Sequence, residues 1–83
     1  MSSEERLILK GHLSNLKMEK MELETRIGAN IKAAKTLLAA ASIKPIADID
    51  LHGALCNLQE AVEQKNRLAY IVSKIRQIRQ ELD

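Results

Sequence analysis

The sequence has few of the residues that mark a large core, a sheet or a disulfide framework. Its 83 residues include no tryptophan or phenylalanine, one tyrosine, one proline and one cysteine. Any core must therefore consist of leucine, isoleucine, valine, methionine and alanine, a composition that favours helices over sheets. A chain of this size buries a limited fraction of its surface when it folds alone, so a second copy or a partner protein is expected.

Charge and localisation signals are equally sparse. Thirteen basic residues against eleven acidic residues give a net charge of +2, which is too small to indicate nucleic-acid binding by bulk charge. Glu4 and Glu5 stand where a signal peptide needs cations, and no apolar run approaches the length of a membrane span. A single cysteine, Cys56, excludes an internal disulfide and suits a reducing compartment. We therefore expect a soluble, cytoplasmic protein without a membrane partner.

The only proline, Pro45, divides the chain into two long helical segments. Proline cannot continue a helix interior, and it disfavours helical geometry at the preceding residue. Ser2 is a candidate N-cap for the first helix, and either Asp48 or Asp50 for the second. The pattern predicts one domain over residues 1–83, with helix 1 over about 3–41, a turn over about 42–47 and helix 2 over about 48–82. The predicted fold is all-α, a long antiparallel two-helix hairpin resembling a coiled coil.

Helix 1 carries one continuous seam with steps of alternately four and three residues, which should face helix 2. Its members are Leu9, Leu13, Leu16, Lys20, Leu23, Ile27, Asn30, Ala34, Leu37 and Ala41. Asn30 either fixes the register of the pair, as polar seam residues can, or lies at the solvated edge of the seam.

Helix 2 carries two apolar stripes on different faces, and a simple helix pair needs only one. One stripe contains Leu51, Leu55, Leu58, Val62, Lys65, Ala69 and Val72, and the other contains Ala54, Asn57, Ala61, Gln64, Leu68, Ile71, Ile75, Ile78 and Leu82. A second stripe implies a second neighbour, either a partner chain or a first helix that bends around helix 2. The favoured interpretation is a partner chain, with the end of the second stripe open as a protein interface formed by Leu68, Ile71, Ile75, Ile78 and Leu82. Docking of two hairpins through a twofold axis would then give a homodimeric four-helix bundle.

No catalytic or metal-binding constellation is present in the sequence. His52 and Cys56 are spaced i and i+4 and could give two ligands to one ion, but two ligands do not form a site. His12 would lie at the far end of an extended hairpin. We expect no enzymatic activity, no cofactor, no metal and no small-molecule substrate.

A run of cations in helix 2 supplies an alternative function. The run contains Lys65, Arg67, Lys74, Arg76 and Arg79, with no acid between Glu63 and Glu81. In a hairpin these side chains would approach Lys10 and Lys17, and Lys65, Lys74, Arg76 and Arg79 could contact the phosphates of a nucleic acid. The competing interpretation is that cations near a helix C-terminus offset the helix dipole and flank an apolar stripe.

Three segments resemble a group of small proteins encoded by Mu-like transposable phages and their prophages. They are the charged start Glu4-Glu5-Arg6-Leu7, the turn Lys44-Pro45-Ile46-Ala47-Asp48-Ile49-Asp50-Leu51, and the end of helix 2, Ile75-Arg76-Gln77-Ile78-Arg79-Gln80-Glu81-Leu82. The resemblance implies a phage accessory protein without enzymatic activity. The sequence therefore favours a non-catalytic protein-interaction module, an accessory or regulatory protein that acts through an apolar stripe of helix 2; the alternative is a small nucleic-acid-binding regulator.

Overall fold

The computed structural model describes residues 2–83, which form two long antiparallel helices. Helix α1 spans Ser3–Ala39 and helix α2 spans Leu51–Leu82, with short 3-10 segments at Ala40–Ser42 and Ile46–Asp48 between them. No strand occurs in this part of the chain, and its extents are 65 × 15 × 14 Å. The predicted all-α helical hairpin is confirmed.

Local capping explains where the two helices begin. The Ser2 hydroxyl accepts a hydrogen bond from the backbone N–H of Glu5 at 3.2 Å, which satisfies a donor that the helix leaves unpaired. The first turn of α2 is capped by Asp50 and not by Asp48, because the Asp50 carboxylate accepts from the Gly53 N–H at 2.8 Å. Pro45 precedes the second 3-10 segment. Both helices are therefore shorter at the turn than the sequence pattern suggested.

Burial along both helices follows a repeat of 3.5 residues, the period of a coiled coil. On α1 the inner positions are those of the predicted seam, except that Ala41 lies in the exposed turn. The buried residues among 2–83 are Leu23, Ala34, Ala54, Ala61, Ile71 and Ile75. Small residues are buried near the turn and larger ones near the opposite end, which we call the free end of the rod.

The inner face of α2 is the stripe that had been expected to remain open. Ile71 is fully buried and Ile75 is 6% exposed, and both pack with Leu23 of α1 in one cluster. Leu68, Ile78 and Leu82 are half-buried on the same seam. The prediction that this stripe lies open to a second molecule is therefore wrong, since the hairpin itself covers it. The physical reason is that the leucines of α1 at the free end need large apolar partners at the same height.

No helix within residues 2–83 combines the length and the apolar character that a membrane crossing requires.

Candidate interaction surfaces

A groove runs between the two helices at the free end of the rod. It measures about 580 Å³, and we call it the basic groove. Its lining residues are Lys17, Lys20, Met21, Val72, Ile75, Arg76, Arg79, Gln80 and Asp83. Lysines of α1 and arginines of α2 thus approach the same space, with apolar side chains between them. The expected approach of Lys17 to the basic run of α2 is therefore present in the structure.

The same side of the rod continues from the basic groove toward the turn, and we call it the grooved side. Since the pair repeats every seven residues, steps of seven from a groove residue stay on that side. From Lys17 these steps reach Ile31 and Leu38 on α1, and from Val72 they reach Leu58 and Leu51 on α2. Steps from Arg76 reach Val62 and Leu55.

Large apolar side chains occupy the grooved side in its half nearest the turn. This set, the turn-half patch, consists of Ile31, Leu38, Leu51, Leu55, Leu58 and Val62. These side chains are between 39% and 58% exposed. The α2 members belong to the first of the two apolar stripes distinguished in the sequence. A contiguous exposed apolar surface of this kind marks an interaction site more often than a scatter of single residues does.

The basic run of α2 is divided between two sides of the rod. Arg76 and Arg79 line the basic groove, and Lys65 lies one heptad from Val72 on the grooved side. Lys74 lies elsewhere, with its Nζ 5.6 Å from the centre of the Tyr70 ring. The four residues expected to contact nucleic acid therefore do not form one surface.

Arg67, the remaining member of the run, is engaged within the hairpin. Its guanidinium carbon lies 5.1 Å from the centre of the Tyr70 ring, and its Nε donates to the Glu19 carboxylate at 3.0 Å. The ring of the only aromatic residue therefore lies within 6 Å of two cations, Arg67 and Lys74.

A polar pair crosses the seam near its middle. The Asn30 amide Nδ2 donates to Gln64 Oε1 at 3.0 Å, and the pair is partly buried. Of the two roles considered for Asn30, this contact favours the one in which the residue fixes register, because shifting either helix would separate the two amides.

The His52 and Cys56 side chains do meet, but without further ligands. Cys56 Sγ lies 3.5 Å from His52 Nε2, and both residues are exposed. His12 lies far away toward the free end. Among residues 2–83, no group of three or more histidine, cysteine, aspartate or glutamate side chains is placed to hold a metal ion.

Comparisons with known proteins identify no relative of this chain. No protein-family model, no curated protein and no solved structure matches the chain. The resemblance to proteins of Mu-like phages, and the accessory role that it implies, therefore stay predictions.

Proposed function

We propose that this chain is a non-catalytic association module, which pairs with a second copy of itself through the turn-half patch. The observation that carries the proposal is the exposure of six large apolar side chains on one side of a rod only two helices wide. A two-helix rod has no third layer to cover that side. A second rod placed against it would complete a four-helix arrangement.

The patch is large enough to drive association. Fully burying an exposed leucine, isoleucine or valine contributes about 1.5–3 kcal/mol, so covering a half-exposed side chain contributes about 1 kcal/mol. Six such side chains on each of two copies give a gross gain on the order of 12 kcal/mol, against an association cost of about 4–15 kcal/mol. The balance favours a weak, concentration-dependent dimer over a permanent one.

The surface area that two copies would bury also indicates a weak dimer. One side of a rod with extents of 65 × 15 Å projects roughly 1,000 Å², and the patch occupies the half near the turn. Two copies would together bury on the order of 1,000 Å², which falls in the size class of transient complexes.

Apolar matching favours an arrangement in which the two turns lie at the same end, because the two turn-half patches then cover each other. A twofold axis along the rod places α1 of one copy over α2 of the other at equal heights. Because Asn30 is level with Gln64, Lys35 comes within about one helical turn of Glu63 of the second copy. Glu63 borders the patch beside Leu55, Leu58 and Val62. The reversed arrangement would place the apolar patch over the cations of the basic groove.

The test is the solution mass, measured by light scattering behind a sizing column over a hundredfold range of concentration. Wild type should rise from one chain toward two, and Val62→Glu should remain a single chain at concentrations where wild type dimerises. Met18→Glu is the matched control, since Met18 is 60% exposed against 56% for Val62, and its heptad position contributes to neither the patch nor the groove. A wild-type protein that stays a single chain at every concentration would exclude the proposal.

Nucleic-acid binding has weaker support. Its candidate cations are divided between two sides of the rod. The only aromatic ring, Tyr70, already contacts two cations, whereas single-stranded nucleic acids stack on several aromatic side chains.

A further inference from the structure

The basic groove combines a cluster of positive charges with apolar side chains. Its walls carry Lys17 and Lys20 from α1 and Arg76 and Arg79 from α2, while Asp83 is the one acid among its lining residues. Its apolar contribution comes from three more lining residues, Met21, Val72 and Ile75. The groove lies on the same side of the rod as the turn-half patch, but at the free end. In a dimer joined at the turn halves the two grooves face each other, and repulsion between their cations keeps the free ends apart, so each groove remains accessible.

The two rows of cations set requirements on an occupant. Arginine pairs with carboxylates through two parallel hydrogen bonds, and lysine adds a more flexible point charge. One lysine is partly engaged already, because Lys20 Nζ lies 3.5 Å from the Glu24 carboxylate. That pair is about half exposed and therefore weak, so it can exchange for another carboxylate.

The apolar residues set a second requirement. Met21 is 68% exposed, and methionine side chains adapt to partners of different shape. A shallow channel between two parallel rows of side chains is also the geometry into which a third helix packs its ridges. Phosphates alone would satisfy the cations but would leave Met21 and Val72 in contact with water.

We propose that the basic groove binds an acidic amphipathic helix of another protein. The helix would place its apolar stripe on Met21 and Val72, above the buried Ile75. Its flanking carboxylates would lie beside Arg76, Arg79 and Lys17. This binding is distinct from the self-association proposed above and uses the opposite end of the rod. In the recurring helix-in-groove mode of recognition, apolar anchors give affinity and flanking charges give orientation.

The experiment uses the full chain and a fluorescein-labelled synthetic peptide of about 18 residues, long enough to follow half of the rod as a helix. The peptide carries leucine at helical spacings of three and four and glutamate on its other positions. A scrambled peptide of the same composition keeps the charge and loses the apolar stripe. Binding is followed by fluorescence anisotropy at moderate salt, and a short DNA duplex is titrated in parallel.

The matched variants are Arg76→Glu and Lys74→Glu, which change net charge equally. Arg76 lines the groove, whereas Lys74 lies against Tyr70. We expect saturable binding of the amphipathic peptide, at least roughly tenfold weaker binding of the scrambled peptide, and a loss of at least roughly tenfold in Arg76→Glu, which corresponds to about 1.4 kcal/mol. In Lys74→Glu the loss should stay below about threefold.

Four results would overturn the inference. Equal binding of the scrambled peptide would mean attraction by charge alone, and equal losses in both variants would mean that the groove is not the site. Binding of the duplex in place of the peptide, with the same sensitivity to Arg76→Glu, would assign the groove to nucleic acid. The mass of Arg76→Glu is measured as well: loss of dimerisation in this variant would mean that a second copy fills the groove, whereas an unchanged mass with lost peptide binding keeps the two surfaces separate.

Discussion

Replacing Ile71 by alanine should remove a large part of the stability of the hairpin. Ile71 is fully buried and packs with Leu23 and Ile75 in the cluster at the centre of the free half. Truncating a buried isoleucine to alanine costs about 2–5 kcal/mol, because apolar contact is lost and a cavity remains. An 83-residue domain has a total stability of about 4–12 kcal/mol at typical values per residue. The variant should therefore lose at least roughly a sixth of its free energy of unfolding, and about 40% at the middle of both ranges.

The assay is urea unfolding followed by far-ultraviolet circular dichroism, at two protein concentrations a hundredfold apart. Because Ile71 contacts α1 of its own chain, the loss should be equal at both concentrations. Val62→Ala is the control, since Val62 is exposed on the turn-half patch. That substitution should leave the stability of the single chain within about 0.5 kcal/mol and reduce only the part that grows with concentration.

A loss in Ile71→Ala that vanishes on dilution would refute this reasoning. It would mean that Ile71 contacts a second molecule and that α1 is paired with the other stripe of α2.

Two further predictions concern two glycines, one in each helix, and the Asn30–Gln64 pair in the seam. Gly28→Ala should raise the free energy of unfolding by up to about 1 kcal/mol, because a Cβ there meets no atom within 4 Å. Gly53→Ala should give no gain, because its Cβ would meet the Asp50 carboxylate that caps α2. Thermal unfolding of both variants checks this, and equal gains would contradict it. Replacing Asn30 and Gln64 together by leucine should raise the unfolding midpoint, since two partly buried amides become apolar. The same change should allow additional oligomers, since the contact that fixes the register is lost. Native mass spectrometry checks the second part, and a single species identical to that of wild type would count against it.

The sequence was sufficient to predict the hairpin, because its determinants are local. Pro45 interrupts a helix whatever its tertiary surroundings, and Ser2 and Asp50 can cap a helix without contacts from distant residues. The seam of α1 could also be predicted, since that helix carries a single apolar stripe of regular spacing.

The choice between the two stripes of α2 could not be made from periodicity, because both stripes repeat every 3.5 residues. Leu51, Leu55 and Leu58 make the outer stripe more apolar near the turn, but the buried positions there are filled by small side chains such as Ala34 and Ala54. Bulky leucines therefore face outward at the turn.

One signal in the sequence could have identified the inner stripe. Asn30 interrupts the seam of α1, and in a hairpin centred on the turn it lies level with Gln64, which interrupts the inner stripe of α2. Matching one polar interruption with another at equal height selects the correct stripe. The basic groove depends on the same choice, because the inner stripe determines which cations of α2 point toward Lys17.

The position of Tyr70 has a consequence for how this protein is measured. Tyr70 is the only aromatic residue, and it is half exposed on the outside of α2 between Arg67 and Lys74. The interior of the hairpin therefore contains no chromophore that absorbs in the near ultraviolet, and a fully packed core will give almost no near-ultraviolet circular dichroism. Such a spectrum is commonly taken as the mark of a molten globule. In this protein the same spectrum belongs to the native state, whereas the fluorescence of Tyr70 reports contacts on the outer surface of α2.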